Sequence, residues 1–521
     1  MNYINKNTVL MLVVAVFFVT LSQSDQNIPQ PTSWSIENKI KKIKSHVFVL
    51  ASDSLEGREV GTNGELLAAD YISNYFKQIN IPPLKDSSYY QEFSLGSRKF
   101  DYAKIKVGHT RYFFGQNFYS YPKFKDVSIF SSDIVFLGYG IDSENYSDYN
   151  VDVKNKILLV FDGEPTNKEG QYLVSGTNKK SPKASYREKL KTAKQKGAKA
   201  LLIIKNNIKK DYKLFSHRIK NPGVFLVAKQ ASIPFFFVDK KIAKDLLNIK
   251  SIAPLIDTIL HTETTATKYV KKPISIDTKT IEEFFVGKNV LGFIEGSDPD
   301  LKEEVVVITA HYDHIGVING KIHNGADDNA TGTAALLEVA ESFQAAKKLG
   351  KKTKRSVLIF ANSAEEKGLL GSYFYVENPI FPLNKTITCL NVDMVGRVDK
   401  NHPNDSNYVY LIGSDKLSTD LHNLSEKTNN EYVGLNLDYT FNDPSDPNRF
   451  YYRSDHYNFA KKNIPSIFYF SGVHEDYHMH TDTHEKIIYE KVEKTARLIF
   501  YTAWEIANGI DRPRVDKKND F

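Results

Sequence analysis

Apolar positions fall into two rhythms along this chain. Between Ser35 and Asn80, Ala68, Ile72, Tyr75, Phe76 and Ile79 recur at i, i+4, i+7, i+8 and i+11, which predicts an amphipathic helix. A polar, glycine-punctuated stretch, LASDSLEGREVGT (50–62), precedes it and reads as a loop. From about 130 to 255 the apolar runs are short: DIVFLGYG, KILLVFDG, ALLIIKN and IPFFFVD. They read as strands, with a helix over Tyr186–Gly197 that Gly197 is placed to end. The Lys/Thr/Pro-rich segment 262–280 reads as a linker. Beyond it come longer apolar blocks, EVVVITAH (304–311), SVLIFAN (356–362), ITCLNVD (387–393), VYLIGS (409–414) and IPSIFYF (464–470). Helices lie between them, the clearest at Thr331–Phe343, where Leu336, Val339, Ala340 and Phe343 share a face. Buried strands alternating with helices predict an α/β fold, a mixed and mostly parallel sheet sandwiched by helices.

The first residues follow a different pattern. Lys6 precedes the apolar run Val9–Val19, then polar residues, which predicts an export signal over 1–24. Eleven apolar residues are short for a membrane span, so no stable membrane insertion is expected once the signal is cleaved. The mature protein is expected outside the cytoplasm, periplasmic or extracellular. A single cysteine, Cys389, excludes an intrachain disulfide and any cysteine-based metal site. At 521 residues the chain has room for two to four domains of about 150 residues. Net charge is 69 − 62 = +7. Between Lys179 and Lys220, 15 Lys/Arg against two acids give +13, leaving the rest about −6. No nucleic-acid recognition motif accompanies those charges, so the stretch reads as a solvated basic face rather than a nucleic-acid surface.

In such sheets ligands collect at the carboxyl ends of the strands. Residues of metal-ligand type sit at those places. AHYDH (310–314) closes the first of the long strands, and its His311 and Asp313, two apart on extended chain, point the same way. NGADDNATG (324–332) opens the helix at 331, and SAEEKG (363–368) follows the next strand. Asp393 ends a third, where an unpartnered carboxylate would be costly to bury. DYHMHTDT (476–483) adds two histidines. Each pattern alone has an ordinary structural explanation, such as a helix cap or a solvated loop; five in one half of the chain do not. Imidazole and carboxylate without thiolate suit two Zn²⁺ bridged by a carboxylate. Two such ions and three ligating carboxylates leave about +1, enough to acidify a water towards a pKa of about 7.

In this order the five motifs resemble the dinuclear-zinc exopeptidase family, which includes secreted bacterial aminopeptidases, glutamate carboxypeptidase and the catalytically dead transferrin receptor. The stretch at 50–62 is similar to that domain's entry segment. DIVFLGYG, YSDYNVDVKNKILLV and KGAKALLII resemble a protease-associated (PA) domain inserted in such peptidases. The resemblance implies a peptidase domain in two parts, 25–128 and 263–521, with a smaller PA domain at 129–262. It implies His311 and Asp393 on one zinc, Glu366 and His478 on the other, and Asp328 rather than Asp327 bridging them. His478, four before Asp482, is favoured over His480. Asp313 would orient His311, and Glu365 would be the general base. Tyr477 would be a candidate oxyanion donor, and Asp455 and His456 would only line the pocket. The expected activity is that of an aminopeptidase acting on peptides. A carboxypeptidase, a glutaminyl cyclase or a non-catalytic scaffold is the alternative, and the sequence does not fix the oligomeric state.

Overall fold

The computed structural model describes residues 36–84, 88–221, 223–228 and 232–519. The export signal expected over 1–24 lies outside them. The chain divides into two compact units, one formed by the chain up to Gln91 and from Lys288 onward, the other by Glu92–Gly287.

The sheet of the larger unit is built from β1 (Ile274–Ile294, its last residues), β2 (Val305–His311), β3 (Ser356–Asn362), β4 (Thr386–Val392), β5 (Tyr408–Ile412), β6 (Asn436–Asp438) and β7 (Ser466–Phe470). Their order is β6-β5-β7-β4-β2-β3-β1. Strand β2 pairs in parallel with β3 and β4, β4 with β7, and β5 with β6, while β1 and β5 run against β3 and β7. The central strands are buried on both faces, which is why they read as mostly apolar runs without charged residues. Alternation divides them: Val306, Ile308 and Ala310 face a core shared with helices Ile36–Leu50, Gly332–Lys348 and Tyr489–Asn508. Val305 and Val307 face another with Tyr375 and Phe459, from helices Leu370–Glu377 and His456–Ala460.

The smaller unit holds a second sheet. Ile134–Leu137, Ile157–Phe161, Ala200–Lys205 and Phe235–Asp239 pair in parallel, flanked by antiparallel Thr267–Val270 and Phe118–Tyr119. This unit is wider than the 129–262 segment read from the sequence. The stretch 262–280 is not a linker: Thr267–Val270 is an edge strand, and Ile274 to Thr278 pair with Ser131 to Val127. Its buried positions, Ile274, Ile276 and Thr278, recur every second residue with Ser275 and Asp277 between them, a period that the lysines and threonines on either side obscured.

The predicted helix is observed as Tyr186–Gln195, and it carries a buried cation. Lys189 Nζ donates to the carbonyls of Phe161, at 2.7 Å, and Gly163, at 2.5 Å. Burial lowers its pKa to about 7 against the pull of Asp162, Asp148 and Glu164. The unfolded chain therefore holds this proton up to about pH 10.5 while the folded chain releases it near 7, so this group makes stability rise with pH across that window. Lys189→Met is expected to flatten the rise in urea-unfolding stability between about pH 7 and 10, by up to about 1.4 kcal/mol per pH unit.

Candidate metal centre

The ligand-type residues of the larger unit converge at the strand ends. His311 is the last residue of β2, and Asp393 follows β4 directly. Asp328 precedes helix Gly332–Lys348, and Glu365 and Glu366 lie between β3 and helix Leu370–Glu377. Turns at these points use left-handed backbone at non-glycine residues: Ala364 before Glu365, Met394 after Asp393, and His478 itself, with φ of 58°, 52° and 58°. Each costs about 1–2 kcal/mol, strain of the kind that collects at functional sites.

Two groups of side chains could each hold a metal ion, His311 with Glu365 and Asp393, and His314 with Asp328 and Glu366. His311 Nε2 lies 3.3 Å from Asp393 Oδ1 and 3.6 Å from Asp328 Oδ1. His478 Nε2 lies 3.1 Å from Asp328 Oδ2 and 3.3 Å from Glu366 Oε2. Donor atoms on one tetrahedral zinc, each about 2.0 Å from the ion, stand about 3.3 Å apart. The four separations match that spacing, and the two oxygens of Asp328 face opposite groups. His311 Nε2 and Asp393 Oδ1 are moreover buried without a hydrogen-bond partner among the described residues, which a cation would supply. The donor set fits two divalent ions.

The surroundings fix these side chains. Asn329 accepts from the backbone N–H of Gly332 and Met394 and donates to Val392 O, tying the Asp328 and Asp393 turns together. Asp327 is turned away, accepting from Gly396 N and Thr331 Oγ1 and meeting His474 Nε2 at 3.2 Å. Asp482 accepts from the backbone N–H groups of Asp327 and Asp328. Arg58, inside the stretch read as a polar loop, is buried and donates to the carbonyls of Leu50, Tyr312, Asn324 and Gly325.

Asp313 does more than face His311. Its carbonyl lies 3.2 Å from His311 Nδ1 and its carboxylate 3.8 Å, while that carboxylate accepts from the N–H groups of Glu365, at 3.1 Å, and Glu366, at 3.4 Å. The adjacent glutamates are electrostatically opposite. Burial pushes Glu365 well above the usual carboxylate range, with neighbouring acids adding to the effect. The same burial acts on Glu366, but His314 and His478 outweigh it and hold Glu366 well below.

A small cavity of about 40 Å³ is lined by Asp328, Glu365, Glu366 and Asp393 and by apolar Met394, Phe450, Phe468, Phe470 and Val473. Arg453, Tyr477 and His478 complete it, and Arg453 donates to Tyr477 Oη at 3.2 Å. A cleft of about 700 Å³ shares Phe450, Arg453, Val473 and Tyr477 with it. Asp455 and His456, expected to line the pocket, do not; both are fully buried, His456 stacked on Phe468 at 5.0 Å. Their neighbour Ser454, which the sequence did not single out, donates to Asp393 Oδ2 at 2.8 Å. His480 is apart from the two groups, its Nε2 3.4 Å from Lys321 Nζ. The residue that sequence reasoning quoted but gave no role is His314, whose Nδ1 lies 2.8 Å from Glu366 Oε1.

A mostly parallel sheet with imidazole and carboxylate ligands gathered at its strand ends is the build of a metallopeptidase. Residues 289–503 match peptidase family M28, and residues 131–246 match the PA domain. The aminopeptidase YwaD of Bacillus subtilis is 24% identical over 387 residues, 71% of this chain and 67% of that protein. A probable glutamate carboxypeptidase of Arthroderma benhamiae is 35% identical over 107 residues, 20% of this chain and 14% of that one. The solved aminopeptidase from Aneurinibacillus sp. strain AM-1 superposes with a TM-score of 0.52 at 18% identity, covering 91% of this chain and 97% of that one, which is a likeness of fold. The chain therefore carries an M28 metallopeptidase region together with a PA domain. Among the described residues no helix is long and apolar enough to cross a membrane.

Proposed function

We propose that this metallopeptidase is an exported aminopeptidase that holds two zinc ions and releases apolar N-terminal residues from peptides. The observation that carries the reading is the pair of donor sets joined by Asp328, whose two oxygens face His311 and His478 separately. His311, Asp393 and Asp328 would hold one ion, and His478, Glu366 and Asp328 the other. Ions bound there would polarise the scissile carbonyl and lower the pKa of water.

Glu365 is the general base. It lines the cavity beside the two donor sets and belongs to neither pair of close donors, so its carboxylate would take a proton from the attacking water and return it to the leaving amine. Tyr477 lines the same cavity and is placed to donate to the carbonyl oxygen as charge develops there. Phe450, Phe468, Phe470, Met394 and Val473 would receive an apolar side chain. The aminopeptidase similarity over 71% of the chain supports N-terminal release, and the run Val9–Val19 supports export.

The test uses the purified mature protein with added zinc and one peptide, both termini free, an apolar residue at each end. Mass spectrometry is expected to show sequential loss from the N-terminus. Loss from the C-terminus would reverse the orientation of the pocket and make the protein a carboxypeptidase. An intact peptide with zinc bound would overturn catalysis.

A further inference from the structure

Two glutamates stand side by side at the metal centre, and the chemistry proposed above needs them to differ: one must ligate while its neighbour stays free to accept a proton. Their sequence, Glu365-Glu366, does not impose that difference. A neighbouring group does.

His314 is fully buried. Its Nδ1 lies 2.8 Å from Glu366 Oε1, whereas the other oxygen, Oε2, faces His478 Nε2 at 3.3 Å. The Nε2 of His314 is buried and has no hydrogen-bond partner among the described residues, so the ring proton belongs on Nδ1, where a carboxylate accepts it. The two oxygens of Glu366 thereby acquire different tasks. Oε1 accepts from His314, which leaves Oε2 turned to His478.

The seat of the ring is built for it. Gly325, at φ 55°, lies so near that a Cβ there would stand 2.5 Å from two ring carbons of His314 and 2.1 Å from the carbonyl of Asp328. Only glycine admits both the backbone conformation and the ring. The same strand end holds the backbone, because Asp313 accepts from the N–H groups of Glu365 and Glu366. One short segment therefore orients the pair twice, through its main chain and through one carboxylate. Among the described residues no comparable imidazole bond engages Glu365: His311, whose ligand atoms lie near it, presents Nε2 to Asp393 and Asp328.

We infer that His314 is a positioning residue that donates its Nδ1 proton to Glu366 Oε1 and so makes Glu366 the metal ligand, leaving Glu365 as the base. The inference rests on the two-zinc reading, and its test separates the two. A charge-assisted bond to a ligating carboxylate orients it and raises the site's affinity, and losing such a partner typically weakens metal binding by about 10–100-fold.

The experiment is a competition titration of zinc against a chromophoric chelator on the full-length mature protein, in wild type, His314→Ala and His314→Asn. The Asn amide N–H replaces Nδ1–H in nearly the same place. Wild type is expected to bind two zinc ions. His314→Ala should keep one with unchanged affinity and bind the other about 10–100-fold more weakly. His314→Asn should return most of that loss, and matching circular dichroism with metal removed would show both variants folded. Two zinc ions at wild-type affinity in His314→Ala would overturn the inference. Equal, complete loss of the second ion in both variants would overturn it too, since the ring would then be a ligand. Fewer than two ions in wild type would instead overturn the two-zinc reading.

Discussion

Replacing Glu365 by glutamine is expected to lower turnover by about 10²–10⁴-fold while both zinc ions remain bound. The amide keeps the size and reach of the carboxyl but cannot take a proton at neutral pH, so the substitution isolates that single function. Retention of metal follows from the geometry, because the donor separations that match one ion involve His311, Asp393 and Asp328 on one side and His478, Glu366 and Asp328 on the other. None of those pairs includes Glu365. Yet Glu365 also lies close enough to His311 and Asp393 to be grouped with them as a possible ligand. Metal analysis beside single-turnover kinetics separates the two roles. A variant that retains two ions and binds peptide without cleaving it fits the base. One that loses an ion would make Glu365 a ligand and move the search for the base elsewhere.

The strand ends were legible in the sequence for a physical reason. A strand covered on both faces is mostly apolar and carries no charge, so the first ionisable side chain at the end of each run marks the edge of the sheet, where His311 and Asp393 stand. The half-exposed strands were not legible in this way. Tyr90–Val107 and Ile274–Ile294 alternate buried and open positions among charged residues, and composition alone read part of the second as a linker. Contacts far apart in sequence were also hidden. Arg58 is one residue of a polar-looking stretch until the carbonyls of Tyr312, Asn324 and Gly325, more than 250 positions away, close around it. Spacing could pick out His311 and Asp313 as sharing a side of the chain, but not show that the second histidine of AHYDH turns towards Glu366. Nor could it show that Ser454 reaches Asp393 from another loop.

The choice between the adjacent acids Asp327 and Asp328 leads to the other large effect. Asp328→Ala is expected to remove both ions at limiting zinc and to reduce peptide cleavage to background, each affinity falling by more than about 100-fold, the upper end for losing an outer partner. One carboxylate sets both donor groups, Oδ1 at 3.6 Å from His311 and Oδ2 at 3.1 Å from His478, so its loss opens both at once. Without metal the variant should also be less stable than wild type. His478 is raised to about 10, since its bonds to Asp328 and Glu366 outweigh the effect of burial, so in the metal-free protein it is an imidazolium that Asp328 helps to neutralise. Asp327→Asn provides the contrast. Its carboxylate is already occupied by Gly396 N, Thr331 Oγ1 and His474, so that substitution should lower the melting temperature and leave two ions bound. Zinc stoichiometry and thermal unfolding of the two variants, with and without chelator, distinguish the outcomes. If Asp327→Asn lost metal while Asp328→Ala kept it, the bridging role would belong to Asp327.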